Sequence, residues 1–520
     1  MRTVGAKAPV VLSTVLTDRL RMHWSAPPSE VGTRWSGAPA WARRTMETLR
    51  ALSPEGRDAF LYACSTAFAG FTALAVGIPL YRQWGQMAVG PYAVATVVMA
   101  VVAVRIRVGA RSSPDMTSGV AIPAGPTPVS SSATGRRHRR VVRVAAFLIV
   151  LFGATVVPLG LEVVWRSEGH AALHVQPEVL VVEQAGNRVA HGHDPYRVVD
   201  QNGHIVIHQH DEPVYELYYP YLPGMVVFGF STGSKVEARL TDARIQFLLF
   251  TALIALLALS RLRPPTDARV RALEVLTVLP TAALPLATGG DDMPVVALML
   301  LGLVALKRRR PVLAGLAMGA ASSLKFTAWP LALFALWAVS DTRSRRAMGR
   351  YALGVLVVMG PVVLPVALRN PSAFVDNVIR FPLGLAGVSS PAASALPGHI
   401  LVAALPGVHR IYVAVVVVVG GAALLWRLWR RPPRNAAQVA SLSGWVMLIA
   451  ILLAPATRVG YLLYPINLFV WAWMLRQADD PVALPSAGAD QLSSGSSNSS
   501  SENVVVPAEV VGDTVAPTSQ

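Results

Sequence analysis

The sequence predicts an all-α polytopic membrane protein of about 12 spans with a long outer loop bearing short helices. Three observations predict it. Of the 520 residues, 53% are hydrophobic and only 14% charged, against about 25% charged in an ordinary soluble domain. The mean hydropathy of +0.47 is carried by separated apolar runs, several reaching the ~18 to 20 residues that cross a bilayer core. The positive charge, 46 Lys+Arg against 29 Asp+Glu for a net +17, falls between those runs.

The apolar runs lie at about 59–81, 87–105, 144–165, 245–260, 272–289, 293–306, 311–324, 326–340, 351–368, 410–428, 440–456 and 459–475. The single cysteine, Cys64, lies inside the first, so no intramolecular disulfide and no cysteine metal site is possible. All the cations but Lys7, Lys235, Lys307 and Lys325 are arginines. No basic surface is interleaved with stacking aromatics, which argues against nucleic acid as a partner. The arginine clusters begin at Arg43/Arg44, Arg105/Arg107, Arg136/Arg137, Arg261/Arg263, Lys307–Arg310, Arg343/Arg345 and Arg427/Arg430. All can face the cytoplasm, as the positive-inside rule asks, if the short apolar stretch Leu222–Ser231 dips into the membrane and returns.

That topology makes the chain a multi-pass plasma-membrane protein with both termini cytoplasmic. It places the loop 166–220, Asp291, Asp292, Lys325, the loop 369–399 and Arg458 on the outer face, where function is expected. The chain divides into a cytoplasmic extension (1–57), a two-span addition (58–111), a disordered basic linker (112–143), a membrane core (144–476) and a disordered tail (477–520). The linker is rich in Ser, Pro and Gly and the tail contains SSGSSNSSSEN, compositions that do not pack a core.

The loop 166–220 holds seven of the 11 histidines and eight acidic residues from Glu168 to Glu216. Glu178 to Gly192 reads as a helix ending at a glycine cap, and His193-Asp194-Pro195-Tyr196 as a turn. Tyr218-Tyr219-Pro220-Tyr221-Leu222-Pro223-Gly224 is an aromatic entry into the dipping stretch. His204, His208 and His210 with Asp211 have a spacing compatible with metal ligation, although a solvated His-rich loop is the commoner origin of such a pattern.

An acidic residue, an aliphatic and Ala-containing helix, Gly192-His193-Asp194-Pro195-Tyr196 and the Tyr-Pro step resemble glycosyltransferase family 87. So do Gly289-Gly290-Asp291-Asp292-Met293-Pro294, Ser323-Leu324-Lys325 with Pro330, and Ala454-Pro455-Ala456-Thr457-Arg458-Val459-Gly460-Tyr461 with Tyr464-Pro465. The resemblance extends over roughly 144–476. It implies a GT-C-like helical bundle and a hexosyltransferase that uses polyprenyl-phosphate sugars, as many actinobacterial mannosyltransferases do. The implied partners are a polyprenyl-phosphate sugar donor, an envelope glycan or glycolipid acceptor and the bilayer. The acidic base of the superfamily's first large outer loop, usually Asp, falls on Glu178.

Transfer from a lipid phosphate needs one carboxylate as general base and positive charge for the departing phosphate. No cofactor and no metal are required. Lys325 and Arg458, at the outer ends of apolar runs, and Arg380 are the candidate phosphate donors; snorkelling to headgroups is the alternative for the first two. Asp194, Tyr196, Tyr219, Asp291 and Asp292 are candidate substrate-binding residues. Against these stand local roles: Glu178 as a first-turn acid, Asp194 as a turn residue, Asp291 or Asp292 as a helix cap. A membrane transporter or flippase for an anionic lipid-linked substrate is the alternative function; it predicts flux without bond cleavage.

Overall fold

The computed structural model describes residues 47, 51–111, 129–169, 173–196, 213–230, 240–262, 266–340, 345–386, 388 and 391–477. The metal-spaced histidines 204, 208 and 210, most of the N-terminal extension, the Ser/Pro/Gly-rich part of the linker and the tail lie outside the described residues. Among the described residues the protein is all-α, with no strand beyond an isolated bridge between Ala393 and Thr457.

The first run is α1 (Pro54–Ala75), capped by the Ser53 hydroxyl accepting the Gly56 N–H at 3.1 Å. It packs as a hairpin on α2 (Pro79–Arg111). The third run is α3 (Val129–Val150), a π-helical turn (Leu151–Val156) and α4 (Val157–Glu168). Helix α3 therefore extends back into the basic stretch expected to be disordered. The physical reason is Arg143, which is buried and salt-bridged to Asp58 of α1 at 2.5 Å and also to Asp267.

Two of the attachments of the α1–α2 hairpin use backbone carbonyls released by helix breaks. Pro158 has no N–H to give to Ala154, so that carbonyl is free to accept the indole N–H of Trp84 at 2.8 Å. The fifth run is broken, with Asp267–Thr277 and Pro280–Thr288 bent by 43°. At this break, between α7 (Thr266–Thr277) and α8 (Pro280–Thr288), the Val278 carbonyl accepts the Tyr92 hydroxyl. Trp84, Tyr92, Met99, Ala154, Val278, Ala283 and Ala287 share one buried cluster, so the two-span addition is packed on the membrane core.

The outer loop begins with α5 (Pro177–Ala190). It ends as predicted: Gly192 has φ +78°, its N–H reaches the Val189 carbonyl at 2.9 Å and the His193 N–H reaches Arg188 at 2.9 Å, a Schellman cap. The dipping stretch is a 3-10 helix, Pro223–Gly229, of only seven residues. That is far shorter than a crossing. After α6 (Ala243–Ser260) come α9 (Asp292–Lys307), α10 (Pro311–Leu324) and α11 (Trp329–Ser340), then α12 (Arg345–Arg369) and α13 (Pro371–Val375). The chain closes with α14 (Pro397–Ala404), α15 (His409–Arg430), α16 (Ala436–Leu453) and α17 (Leu463–Gln477).

Every one of the twelve runs is thus helical, but among the described residues seven helices are long and apolar enough to cross a membrane, or eight if the bent pair counts as one. The expected count of 12 is lowered because breaks at Gly289-Gly290 and Lys325 leave short helices between them. Helix α9 is buried along Asp292–Ala305, as a helix apolar on all sides must be. Helix α5 meets the dipping turn at two glycines with no room between backbones. A Cβ on Gly186 would lie 2.2 Å from the Gly229 carbonyl carbon, and one on Gly229 would lie 2.0 Å from the Val182 oxygen. Gly186→Ala is expected to destabilise the protein by about 1 to 3 kcal/mol, read as a lowered unfolding temperature in detergent, whereas Gly160→Ala, at a position with open space around it, should leave it unchanged.

Candidate active site

Helices α9 and α10 run as a hairpin of similar length, 16 and 14 residues, joined by the tight turn at Arg308–Arg310. The residue before α9 and the residue after α10 therefore return to one level. Those residues are Asp291 and Lys325. The Lys325 ammonium lies 2.8 Å from Asp291 Oδ2 and 2.5 Å from Asp292 Oδ1, with all three side chains at most 10% exposed. Neither aspartate caps α9 through its side chain; the lysine takes that bonding capacity. Tyr464 donates to Asp292 Oδ1 at 2.6 Å and receives the Thr327 hydroxyl proton at 2.8 Å. The rings of Tyr221 and Tyr461 lie 5.1 Å and 5.6 Å from the ammonium, in cation–π range.

Glu178 stands beside this group at the first turn of α5. Its Oε1 is salt-bridged to Arg458 at 2.5 Å, and its Oε2 is buried without a hydrogen-bond partner. Burial pushes the Glu178 carboxyl above its ordinary range, and Asp291 adds to the shift, while Arg458 and Lys325 pull against it. The helix is held in place from both sides. Arg166 of α4 bonds Glu183 of α5 at 2.5 Å and Asp242 at 2.7 Å, and the Glu183 carboxylate accepts the Ala243 N–H at 3.1 Å. Asp242, despite burial that acts to raise it, is held below the usual carboxylate range by Arg244 and Arg166.

Arg458 is fixed by backbone. Residues 392–394 pair with the Thr457 segment through Thr457 N–H to Ala392 O at 2.7 Å and Ser394 N–H to Thr457 O at 2.9 Å. The Ser394 hydroxyl accepts the Val459 N–H at 3.1 Å, and His399 Nδ1 bonds Pro455 O at 2.8 Å. The loop 369–399 thereby braces the turn that carries the arginine.

The remaining predicted residues divide. Tyr196 and Tyr219 form the wall behind the site: Tyr196 donates to Tyr221 O at 2.8 Å, and the Tyr219 hydroxyl is buried without a partner. Asp194 makes a turn, accepting the Tyr196 N–H at 2.8 Å. Arg380 pairs with Asp376 four residues earlier at 2.6 Å and is more than half exposed; no ion pair links it to the Glu178 group. Sequence reasoning missed Gln176 and Tyr81. The Gln176 amide donates to the Tyr81 hydroxyl at 2.9 Å and to Thr288 Oγ1 at 2.7 Å, against Gly289. Tyr81 feels the charges of Arg458 and Glu178, so the two-span addition reaches the site. No motif marked it, because the contact spans 95 residues of sequence.

The site brings three carboxylates, two cations and four tyrosines together at the breaks between short helices, an arrangement able to hydrogen-bond a polar substrate. Lys325→Met leaves two buried carboxylates facing each other, and should destabilise the protein by about 3 to 5 kcal/mol, measured by thermal unfolding. No curated protein matches the chain. The family model of glycosyltransferase family 87 matches residues 236–455, a stretch that includes Asp291, Asp292, Lys325 and Arg380 and stops short of Arg458, with Glu178 upstream. That stretch is under half of the 520 residues, and over it the chain is similar to the membrane glycosyltransferases of family 87.

Proposed function

We propose that the protein transfers a sugar, with mannose as the first candidate, from a polyprenyl-phosphate donor to an envelope glycan or glycolipid at the outer face of the plasma membrane. The observation that carries the reading is Glu178, with one oxygen tied to Arg458 and the other buried, unpartnered and directed into a charged site. The similarity to a glycosyltransferase family over 236–455 favours bond-forming transfer over the transport of a lipid-linked substrate.

In this scheme the acceptor hydroxyl oxygen forms the new bond to the anomeric carbon as the bond to the phosphate oxygen breaks. The hydroxyl proton passes to Glu178 Oε2. Polyprenyl phosphate leaves with the electron pair, already an anion, and so needs donors rather than a general acid. Arg458 supplies them, because one N–H is engaged by Glu178 and the guanidinium has others in a fork suited to phosphate. Lys325 is matched by two aspartates; its part is to hold Asp291 and Asp292 where they can accept sugar hydroxyls. Three carboxylates around two cations also suit a reacting sugar that gains positive, oxocarbenium-like character.

Radiolabel transfer from polyprenyl-phosphate mannose into envelope lipid, in membranes expressing each variant, tests the reading. Glu178→Gln should lower transfer about 10²- to 10⁴-fold, and Glu178→Asp should keep part of it. Undiminished transfer by Glu178→Gln would sink the base assignment. The raised carboxyl also sets a pH dependence: the protonated base is inactive, so kcat/KM should fall on the acid side around a midpoint above the ~4.3 of a free glutamate. Arg458→Met removes the cation that favours the carboxylate and should move that limb to still higher pH; an unmoved limb would separate it from Glu178.

A further inference from the structure

An open cavity of about 290 Å³ is lined by Gln83, Trp165, Glu168, Gly169 and His174. It is formed where the two-span addition meets the start of the outer loop. We propose that this cavity is a binding subsite for one neutral sugar unit, the acceptor residue next to the one that carries the attacking hydroxyl. The proposal rests on the reading of the acceptor as a glycan or glycolipid.

The argument is one of size, lining and position. The volume is at the small end of ligand pockets, enough for a single compact ligand. An indole face beside amide and carboxylate groups is the set that a pyranose uses, apolar C–H on the ring and hydroxyls on the polar groups. The Gln83 side-chain oxygen is buried and has no partner, so a ligand hydroxyl would satisfy it at a gain. Trp165 is braced against His174 with ring centres 5.6 Å apart, and His174 Nδ1 is bonded to the buried Glu162 at 2.8 Å. Charge selects against phosphate, because the lining includes the acidic Glu168 and, among the described residues, neither lysine nor arginine.

Position completes the case. Gln83 lies two residues from Tyr81, and His174 two residues from Gln176, the pair that bond at 2.9 Å beside Glu178 and Arg458. The cavity lining and the Tyr81–Gln176 contact are therefore two residues apart along both chain segments. An acceptor lying across that contact would reach both the cavity and the catalytic group.

Saturation-transfer NMR on the full-length protein in nanodiscs tests this with methyl α-mannopyranoside, methyl β-glucopyranoside and methyl β-galactopyranoside as probes, without donor or turnover. At least one should give a signal in the wild type and in Glu178→Gln. Gln83→Leu and Trp165→Leu should weaken that affinity about fivefold or more, the worth of a lost hydrogen bond. Glu168→Ala, at an exposed position that cannot threaten folding, should weaken it as well. Equal signals in all three pocket variants, no signal from any hexoside on folded protein, or a signal abolished by Glu178→Gln would overturn the subsite. Transfer assays read the catalytic proposal independently: transfer with no hexoside bound at the cavity removes the subsite alone, and hexoside binding without transfer removes the reaction alone.

Discussion

The interaction on which the site depends is the buried triad of Lys325 with Asp291 and Asp292. An ammonium ion this deep is tolerable only if its charge and donors are met at once, and the two aspartates and two tyrosine rings meet them. The hairpin of α9 and α10 makes the meeting unavoidable, since helices of nearly equal length joined by a tight turn return their free ends to the same depth. Around that point the other chain breaks gather. Gln176 bonds Thr288 through both its backbone and its amide, the Leu222 N–H bonds the Leu324 carbonyl, and Tyr464 reaches Asp292 from the start of α17.

Breaks of this kind are costly in hydrocarbon unless the released backbone groups find partners. Here they find them across elements rather than within them. The Ala154 carbonyl freed by Pro158 goes to Trp84, and the Val278 carbonyl at the bend goes to Tyr92. A second charged group, in which Asp58 bonds both Arg143 and Arg271 and Tyr62 donates to Glu274 at 2.8 Å, ties the start of α1 to α3 and α7. The two-span addition is thus bound to the core by the same economy of unsatisfied polar groups that shapes the site.

Much of this was legible in the sequence. Apolar runs located the long helices of the bundle, the Gly192 cap was readable from a glycine after an amphipathic stretch, and arginine placement asked for a non-crossing stretch where the turn Pro223–Gly229 lies. What sequence could not supply was pairing. Lys325 and Arg458 read alike as cations at helix ends, yet one is neutralised by two aspartates and the other by Glu178. Asp291 and Asp292 read as helix caps or sugar ligands, and the lysine that engages them lies more than thirty residues on. Arg380 carried the same signal as Arg458 and, among the described residues, pairs with its neighbour Asp376. The apolar runs outnumber the helices long enough to cross because hydropathy does not distinguish a helix that crosses lipid from a shorter one sheathed by other helices.

The brace on Arg458 is made chiefly by main-chain groups at 392–394 and 457, with Ser394 and His399 in support. A main-chain contact is blind to the identity of the side chains that flank it and acutely sensitive to spacing. The main-chain pairing at 392–394 can therefore survive a change of side chain at Ala393 and still deliver the arginine to its carboxylate. Adding or removing a single residue there would slip the pairing and turn the guanidinium away.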